Sequence, residues 1–453
     1  MKKKAVFIIS LGCAKNLVDS EVMCGSLATG GFYLAEDEKY ADICLINTCG
    51  FIRDAREESF EQIEWAVKWK GKSKRMIVVA GCLAQRSPEM LMERFPEIDL
   101  IVGLNDVERL PELIRKCEKD GLQQTVEPAL PTYLYTENSP RITLTPETFA
   151  YIKVAEGCDH RCSYCAIPMI RGNQRSRSID SVLNECVQLL NQGVFELNLI
   201  AQDTSRYGSD LPDANLEKLL RECDTLDADF WLRVLYTHPL HLTDGLLDIL
   251  ANGRHVVPYL DIPLQHISSH ILHDMRRGMD GEHTRELLLG IRKRYPQMAI
   301  RTTFLVGYPG ETEQDFQELL DFVREFRFDR LGAFAFSPEE GTPAAAVTTG
   351  LVPPEVAEER RRILFELQRG ISKKHNESLV GKKVRVLLET QLSDRKWMGR
   401  SISDAPEVDQ VVTVTTNREI FDPAFVNVVL KKAGDYGLEG TEDTEGGRKN
   451  VRQ

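Results

Sequence analysis

The chain has 453 residues, of which 42% are hydrophobic and 28% are charged, a profile typical of a globular protein with sizeable cores. Its 57 lysines and arginines are outnumbered by 69 aspartates and glutamates, which gives a net charge of −12. An acidic balance argues against a general nucleic-acid coat, which needs a basic face. No apolar run approaches the ~18 residues of a membrane span, and at roughly 100–200 residues per domain the length predicts two to four domains.

Residues 1–130 alternate short β-rich runs with segments of helical period. Strands that alternate with helices predict parallel, right-handed βαβ units in an open α/β sheet. The three prolines of residues 131–147 predict an extended linker after this first domain. The β-rich runs span residues 5–10, 43–47 and 76–80, and the clearest amphipathic segment spans residues 54–70.

A second α/β series predicts a central domain over residues 148–370. Six strands within about 190 residues, with helical segments between most of them, suit a partial (β/α)6 barrel better than a flat sheet. A charged helical segment at residues 356–376 is the predicted connector out of this barrel. The six predicted strands cover residues 150–155, 196–201, 231–236, 257–262, 299–306 and 331–336.

From Gly381 onward the pattern changes to short alternating strands with turn residues between them. This pattern predicts a small all-β barrel over residues 371–440. The polar residues 441–453 are predicted to be a disordered tail. The strands of the small barrel are predicted at residues 384–389, 411–416 and 425–430.

Eleven cysteines are the informative part of the composition, and none follows Cys223. A secreted disulfide scaffold is short and evenly stapled, and this chain is neither. Clustered thiols in such a chain indicate metal or redox chemistry and predict a cytoplasmic location. The basic and then apolar start of the chain superficially resembles an export signal, but it also has the composition of a buried strand.

Three of the cysteines, Cys13, Cys49 and Cys82, each follow a predicted parallel strand and have a glycine beside them. The carboxyl ends of parallel strands face one crevice, so the three thiols can converge on one point. Three sulfurs at one point can hold an iron–sulfur cluster with one iron free of protein ligands. The alternative is that these are small buried residues packed at strand ends.

Cys158, Cys162 and Cys165 form a CxxxCxxC loop directly after the first predicted barrel strand. Zinc prefers four ligands at paired spacing, and His160, inside the loop, would complete a poor tetrahedron. Three thiolates on one tight loop instead fit three corners of a [4Fe–4S] cluster. The fourth iron then remains open to a chelating ligand.

This loop, with Tyr164 before its last cysteine, resembles that of the radical S-adenosylmethionine (SAM) superfamily, and residues 167–177 resemble the IPxxRGxxRSR segment of one of its branches. The resemblance implies that the open iron binds the amino and carboxylate groups of SAM. The arginines of this segment would pair with a carboxylate or an acidic substrate, the alternative being a solvated basic helix start. The residues implied in cofactor binding are Tyr164, Arg171, Gln202, Asp203 and Gln265.

A three-cysteine domain, a radical SAM barrel and a small β-barrel together resemble the methylthiotransferases over nearly the whole chain. The resemblance implies a TRAM domain at the C-terminus, two [4Fe–4S] clusters and SAM. One cluster would generate a 5′-deoxyadenosyl radical that removes hydrogen from a carbon, and the other would deliver a methylated sulfur. No catalytic residue beyond the cluster ligands is implied. The metal ligands would be Cys13, Cys49, Cys82, Cys158, Cys162 and Cys165.

Two branches of this family differ in substrate, one modifying adenosine in tRNA and the other an aspartate of small-subunit ribosomal protein S-twelve. Residues 12–21 and 399–409 resemble the protein-modifying branch. Residues 372–437 carry 11 Lys or Arg against 9 Asp or Glu, a charge of only +2 (11 − 9), which is weak for an RNA-gripping barrel. Their acidic loop, with Asp404, Glu407 and Asp409, is predicted to repel phosphate and bind a basic ribosomal protein, unless it is a solvated turn.

The leading prediction is therefore a radical SAM methylthiotransferase acting on the β-carbon of that aspartate. The implied partners are ribosomal protein S-twelve or the small ribosomal subunit, a low-potential electron donor and no membrane, with RNA contact compatible on the ribosome. The alternatives are a tRNA adenosine methylthiotransferase and a non-catalytic iron–sulfur or zinc-binding adaptor.

Overall fold

The computed structural model describes residues 3–120, 124–125 and 129–443. Its N-terminal part is a six-stranded parallel sheet of order β2-β1-β3-β4-β5-β6. The central strands β3 and β4 are buried at every position, as their continuous apolar runs predict. The strands are β1 (Ala5–Ser10), β2 (Tyr33–Leu34), β3 (Ile43–Thr48), β4 (Met76–Gly81), β5 (Leu100–Val102) and β6 (Gln124–Thr125).

Five helices lie against this sheet. The first, α1, buries not only apolar residues but also Asn16, Asp19, Ser20 and Glu21, a face that meets the next part of the chain. The helices are α1 (Ala14–Thr29), α2 (Arg53–Lys70), α3 (Cys82–Arg86), α4 (Pro88–Arg94) and α5 (Leu110–Asp120).

Residues 129–148 contain no helix or strand but are held between the two α/β parts. Tyr135 is only 1% exposed, and its hydroxyl donates to a carboxylate oxygen of Glu185 at 3.0 Å. Arg141 forms ion pairs with Glu21 of α1, at 2.6 Å, and with Glu185. The extended segment therefore clamps the N-terminal sheet to the central part.

Six parallel strands form the central part, as two three-stranded sheets of order β11-β10-β7 and β12-β13-β14. A parallel bridge between Leu232 and Val256 connects them, so the strands follow one another as in a partial barrel. The strands are β7 (Phe149–Lys153), β10 (Glu196–Ile200), β11 (Trp231–Val234), β12 (Tyr259–Asp261), β13 (Ala299–Val306) and β14 (Arg330–Ala335), with a short antiparallel pair β8 (Ala155–Glu156) and β9 (Arg175–Ser176).

The helices of this part alternate with its strands, as the sequence predicts. The long α13 leads out of the barrel and packs on β14 and on the C-terminal part. The helices are α6 (Ile167–Arg171), α7 (Ile179–Asn191), α8 (Leu216–Cys223), α9 (Asp244–Asn252), α10 (Ser269–Asp274), α11 (Gly281–Arg294), α12 (Glu313–Phe326) and α13 (Pro354–Leu379).

The C-terminal part is a closed barrel of order β15-β16-β17-β19-β18. Its last strand runs to Glu442, with Thr441 opposite Thr415. The sequence predicts a disordered tail from residue 441 onward. Thr441 and Glu442 instead belong to β19, because they pair with neighbouring strands. Residues 444–453 lie outside the described residues. The strands are β15 (Lys383–Ser393), β16 (Lys396–Ser401), β17 (Val411–Thr415), β18 (Phe425–Ala433) and β19 (Gly437–Glu442).

The closed barrel docks on the amino ends of the central strands. Arg400 pairs with Glu196, the first residue of β10, at 2.7 Å. The ring centroid of Phe425 lies 4.8 Å from that of Trp231, the first residue of β11. The carboxyl ends of the same strands are thereby left to face the N-terminal sheet. The predicted fold class, an open parallel α/β domain followed by a partial barrel and a small all-β barrel, is confirmed.

Candidate active site between two sets of cysteines

The carboxyl ends of β1, β3 and β4 bring Cys13, Cys49 and Cys82 to one edge of the N-terminal sheet. Cys13 immediately precedes α1, Cys49 follows β3, and Cys82 is the first residue of α3. Their close approach depends on Gly12, which has φ +87°, because a Cβ built there would lie 2.8 Å from the Cβ of Cys49. The three thiols that the sequence predicts to converge are therefore neighbours.

The electrostatics of these thiols reflect that proximity. Burial, together with the nearby charge of Cys82, raises the pKa of the Cys49 thiol to about 12, and burial also raises the pKa of Cys82. Partial desolvation alone would raise the pKa of Cys13, but the charges of Lys15 and Arg171 hold that pKa below its ordinary value. A cation that binds all three sulfurs as thiolates would relieve their mutual repulsion.

Arg171 reaches this first cysteine set from the central barrel. Its Nη2 lies 3.1 Å from the Sγ of Cys82, while Nη1 donates to Glu156 at 2.8 Å and Nη2 also donates to Asp19 at 2.9 Å. Lys153 pairs with the same two carboxylates, at 2.5 Å each. The guanidinium of Arg171 is engaged by the N-terminal cysteine site and by buried carboxylates. The SAM contact that the resemblance implies for Arg171 stays a prediction.

The second set, Cys158, Cys162 and Cys165, lies on the loop after β8. Gly157, at φ +80°, makes the tight turn, since a Cβ there would lie 2.1 Å from the carbonyl oxygen of Asn173. Burial raises the pKa of Cys158 to about 11 and that of Cys165 to about 12. The six cysteines of the two sets are all free thiols.

Arg277 gives this loop its own buried cation. Its Nη1 lies 3.5 Å from the Sγ of Cys162 and 3.4 Å from the hydroxyl of Tyr164. Nη2 donates to the carbonyl oxygen of Pro263 at 2.7 Å, and the buried Nε has no hydrogen-bond partner among the described residues. Each cysteine set thus has one arginine against one of its sulfurs.

The short helix α6 joins the two sets. It begins two residues after Cys165, and its Ile170 packs with Ala166, Leu104 and Cys82. It therefore contacts α3, which begins with Cys82. This five-residue helix therefore contacts one cysteine set and follows the other directly along the chain.

The remaining residues implied in cofactor binding lie at carboxyl ends of barrel strands, around the CxxxCxxC loop. Gln202 donates from Nε2 to Glu156 at 2.7 Å, and its buried Oε1 has no partner among the described side chains and backbone. Gln265 has φ +73°, a strained conformation for a side chain of its size, and pairs through its backbone with β13. Tyr164 is half-buried against Arg277.

Asp203 belongs to a histidine cluster that sequence reasoning did not find. Its carboxylate lies 2.8 Å from Nε2 of His160, whose ring stacks on His238 at 4.2 Å between centroids. His241 completes the cluster, with its ring centroid 5.3 Å from that of His160. His160 is far in sequence from His238 and His241, and only the fold brings the two barrel loops together, so no local pattern could have shown the cluster.

Lys15 lies between the N-terminal cysteine set and the central barrel. It stands in the first turn of α1, two residues after Cys13, with its Nζ 3.3 Å from the ring centroid of Tyr236. Tyr236 follows β11 and has φ +63°. A lysine of the N-terminal part thus lies over the carboxyl end of a barrel strand.

Three stretches of the chain match known family models: residues 5–103 match the uncharacterized protein family UPF0004, residues 152–323 the radical SAM superfamily, and residues 380–442 the TRAM domain. Curated relatives cover almost the whole chain. The ribosomal protein uS12 methylthiotransferase RimO of Desulforamulus reducens is 42% identical over 96% of this chain and 99% of its own length, and that of Pelotomaculum thermopropionicum is 44% identical over 96% and 98%.

The chain belongs to the RimO family of methylthiotransferases.

Solved structures share the fold of this RimO-family chain at low sequence identity. The radical S-adenosylmethionine methyltransferase TsrM of Kitasatospora setae, solved with cobalamin and a [4Fe-4S] cluster bound, matches with a TM-score of 0.54 and 17% identity over 76% of this chain and 74% of that one. Among the described residues, every helix is too short or too polar to cross a lipid bilayer.

The three acids in the acidic loop of the TRAM barrel make contacts within the chain that the sequence did not predict. Asp404 is 0% exposed and pairs with Arg330, the first residue of β14. Asp409 is 3.4 Å from Arg301 and accepts from the hydroxyl of Tyr259 at 2.5 Å.

Glu407, the third acid of that loop, is itself exposed, yet its carboxylate accepts a hydrogen bond from Tyr151 at 2.8 Å. All three acids thus meet barrel residues near the amino ends of the strands, away from the cysteines. The interpretation of this loop as an open acidic surface is corrected for Asp404 and Asp409, whose charges are paired with arginines inside the chain. For the exposed Glu407, binding of a ribosomal protein stays a prediction.

Proposed function

We propose that this chain is a radical SAM methylthiotransferase that replaces a hydrogen on the β-carbon of an aspartate of uS12, the S-twelve protein of the small ribosomal subunit, by a methylthio group. The observation that carries the proposal is the pair of three-thiol sets that α6 connects, since it follows Cys165 and packs against Cys82. Family membership adds the substrate, which the curated relatives carry in their names.

The donor atoms fit the groups that this chemistry requires. Each set offers three free thiols, and three thiolates leave one iron of a [4Fe–4S] cluster without a protein ligand. We assign Cys158, Cys162 and Cys165 to the cluster that binds SAM, and the N-terminal set to the auxiliary cluster. When bound, the first cluster with SAM supplies one-electron chemistry able to take hydrogen from an unactivated carbon, and the second supplies sulfur.

The chain's own residues prepare both sites. Arg171 and Arg277 each place a guanidinium against a cysteine sulfur, which stabilises the negative charge that three thiolates bring to a cluster. The unpartnered Oε1 of Gln202 is an acceptor suited to the SAM ammonium group. We propose Tyr164, Asp203 and Gln265 as further parts of the cofactor pocket, because they surround the same loop.

The partners follow from the chemistry. Reductive use of SAM needs a low-potential electron donor, and we propose such a donor as a partner. The free thiols favour the reducing cytoplasm as the location. We propose the small subunit or free uS12 as the docking partner, with ribosomal RNA nearby in the first case.

The test uses anaerobically reconstituted holoenzyme with SAM and a low-potential reductant. It is offered small ribosomal subunits, free uS12 and, separately, bulk tRNA, and the products are read by mass spectrometry. A methylthio group on an aspartate of uS12 with unmodified tRNA is expected. Methylthioadenosine in tRNA, with unmodified uS12, would contradict the proposed substrate and leave the two-cluster chemistry standing.

Substitutions in each of the two cysteine sets test which cluster supports which step. Cys13→Ala, Cys49→Ala or Cys82→Ala is expected to leave 5′-deoxyadenosine formation intact and to abolish methylthio transfer. Cys162→Ala is expected to abolish both. Sulfur transfer that survives any one of the first three changes would show that the cysteine concerned does not hold the sulfur-donating cluster.

A further inference from the structure

Lys15 lies near Cys13, whose pKa its charge lowers, and it has no carboxylate partner in the described part of the chain. Its Nζ forms no ion pair within residues 3–120 or 129–443, and its recorded contact is with the face of Tyr236, at 3.3 Å from the ring centroid. Lys153 and Arg171, by contrast, are both saturated by Asp19 and Glu156. Those two cations are each paired with two carboxylates, whereas Lys15 is paired with none of the described carboxylates.

The position of Lys15 is fixed from both sides. It belongs to the first turn of α1 and so moves with Cys13. The ring beneath it is fixed because the Tyr236 backbone N–H donates to Asp261 at 2.9 Å and the Tyr236 carbonyl accepts from the Thr204 N–H at 2.9 Å. The ammonium group is therefore held between the N-terminal cysteines and the carboxyl end of β11.

That position is an unfavourable one for a lysine unless an anion joins it. The N-terminus of a helix carries positive partial charge and disfavours a cation in its first turn. The first turn of α1 holds no acidic residue, and its N-cap makes no side-chain hydrogen bond. A carboxylate bound there would satisfy both the lysine and the helix end, and the aromatic face below already favours a cation at this point.

We infer that Lys15 binds the side-chain carboxylate of the aspartate that receives the methylthio group, and that it selects a carboxylate over a neutral amide at this position. The inference rests on the proposed function. In aspartate the β-carbon is bonded directly to the carboxylate carbon. A carboxylate held by Lys15 therefore brings the reacting carbon beside Cys13, one of the cysteines assigned to the sulfur-donating cluster.

The test compares two substrates in two enzymes. The substrates are uS12 with its target aspartate and uS12 with asparagine at the same position, presented in the form that the wild-type enzyme modifies. Wild-type holoenzyme is expected to modify the aspartate form at least roughly 10-fold faster in kcat/KM, the scale of a charge-assisted hydrogen bond. In Lys15→Gln the aspartate form is expected to lose roughly 10- to 100-fold in kcat/KM while the asparagine form changes little, so that the preference disappears.

Three controls separate this role from a structural one. Lys15→Arg keeps the charge and is expected to retain a preference for aspartate. Lys116→Gln removes an exposed lysine of α5 and is expected to behave as wild type. The iron content of Lys15→Gln is expected to equal that of wild type, because Lys15 is not a cluster ligand.

Two outcomes would overturn the inference while the proposed function stands. One is an equal loss on both substrates in Lys15→Gln, which would give Lys15 a structural role. The other is a wild-type enzyme that modifies the aspartate and asparagine forms equally well. A wild-type enzyme that forms 5′-deoxyadenosine but leaves every form of uS12 unmodified would overturn the proposed function, and this inference with it.

Discussion

Arg171 shows how a single residue can link two parts of the chain. It is 2% exposed and touches Asp19 and Cys82 of the N-terminal part as well as Glu156 of the barrel. Removing one member of a buried charge network leaves its partners uncompensated, which costs far more than the network itself contributes to stability.

We therefore expect Arg171→Gln to destabilise the chain by about 3–5 kcal/mol, because Lys153 alone then faces two buried carboxylates. The melting temperature of the cluster-free protein measures this effect without reference to activity. Arg362→Gln is the matched control, since it breaks an exposed pair with Glu359 and is expected to cost less than about 1 kcal/mol. Equal melting temperatures for the two variants would contradict the buried network.

At the scale of elements, the cysteine loop after β8 depends on one backbone position. Gly157 and Gly193 have similar positive φ values, +80° and +92°, but only Gly157 has atoms where a Cβ would go. A substitution at either position therefore carries the same kind of backbone strain, and the difference between them isolates the steric clash.

Gly157→Ala is expected to distort the loop and so to lose the cluster held there. The variant would then contain roughly half of the iron expected for two [4Fe–4S] clusters and would form no 5′-deoxyadenosine. Gly193→Ala is expected to keep both and to cost only about 1–2 kcal/mol. Iron analysis and 5′-deoxyadenosine assays on the two purified variants decide the matter. Full iron content in Gly157→Ala would show that the loop tolerates the added carbon.

The elements themselves were well predicted, because strand and helix signals are local. The strand at residues 299–306 has the same bounds in the structure, and the predicted helix at 54–70 begins at Arg53. What the sequence could not predict is what each charge meets. Arg171 and Asp404 find counter-charges, Asp19 and Arg330, in residues far away along the chain. The SAM contact of Arg171 stays a prediction.

On the scale of the whole molecule, buried ion pairs dock the TRAM barrel on the amino ends of the central strands. Asp404 and Arg330 form one such pair, and Glu196 with Arg233 and Arg400 forms another. Both carboxylates are fully buried, so the docking depends on these carboxylates remaining charged.

Asp404→Ala is expected to leave Arg330 unpaired and to cost about 3–5 kcal/mol, seen as a lower melting temperature and as faster proteolysis between α13 and β15. Asp394→Ala, at the exposed β15–β16 turn, is the control and is expected to change the free energy of unfolding by less than about 0.5 kcal/mol. If the two variants melted alike, the Asp404–Arg330 pair would not hold the barrel in place.

Glu196 makes this docking dependent on pH. Burial alone would raise its pKa, but the charges of Arg233 and Arg400 hold the pKa below its ordinary value. A carboxyl group with a lowered pKa in the folded state contributes stability above its unfolded pKa of about 4.3, and that contribution is lost as the pH falls through the lowered value. The difference in melting temperature between wild type and Glu196→Gln is therefore expected to be constant from pH 6 to 8 and to shrink below about pH 4. A constant difference down to pH 3 would contradict the assignment.

The buried polar face of α1 has a consequence for how this protein can be divided. Asp19 and Glu21 are buried carboxylates of the N-terminal part, and their cations, Lys153, Arg171 and Arg141, all come from beyond residue 130. Expressed alone, residues 1–130 would expose the carboxylates of Asp19 and Glu21 without the cations that pair with them. The N-terminal part is therefore not an autonomous module that can be grafted onto another radical enzyme, since its buried carboxylates need cations from the rest of the chain.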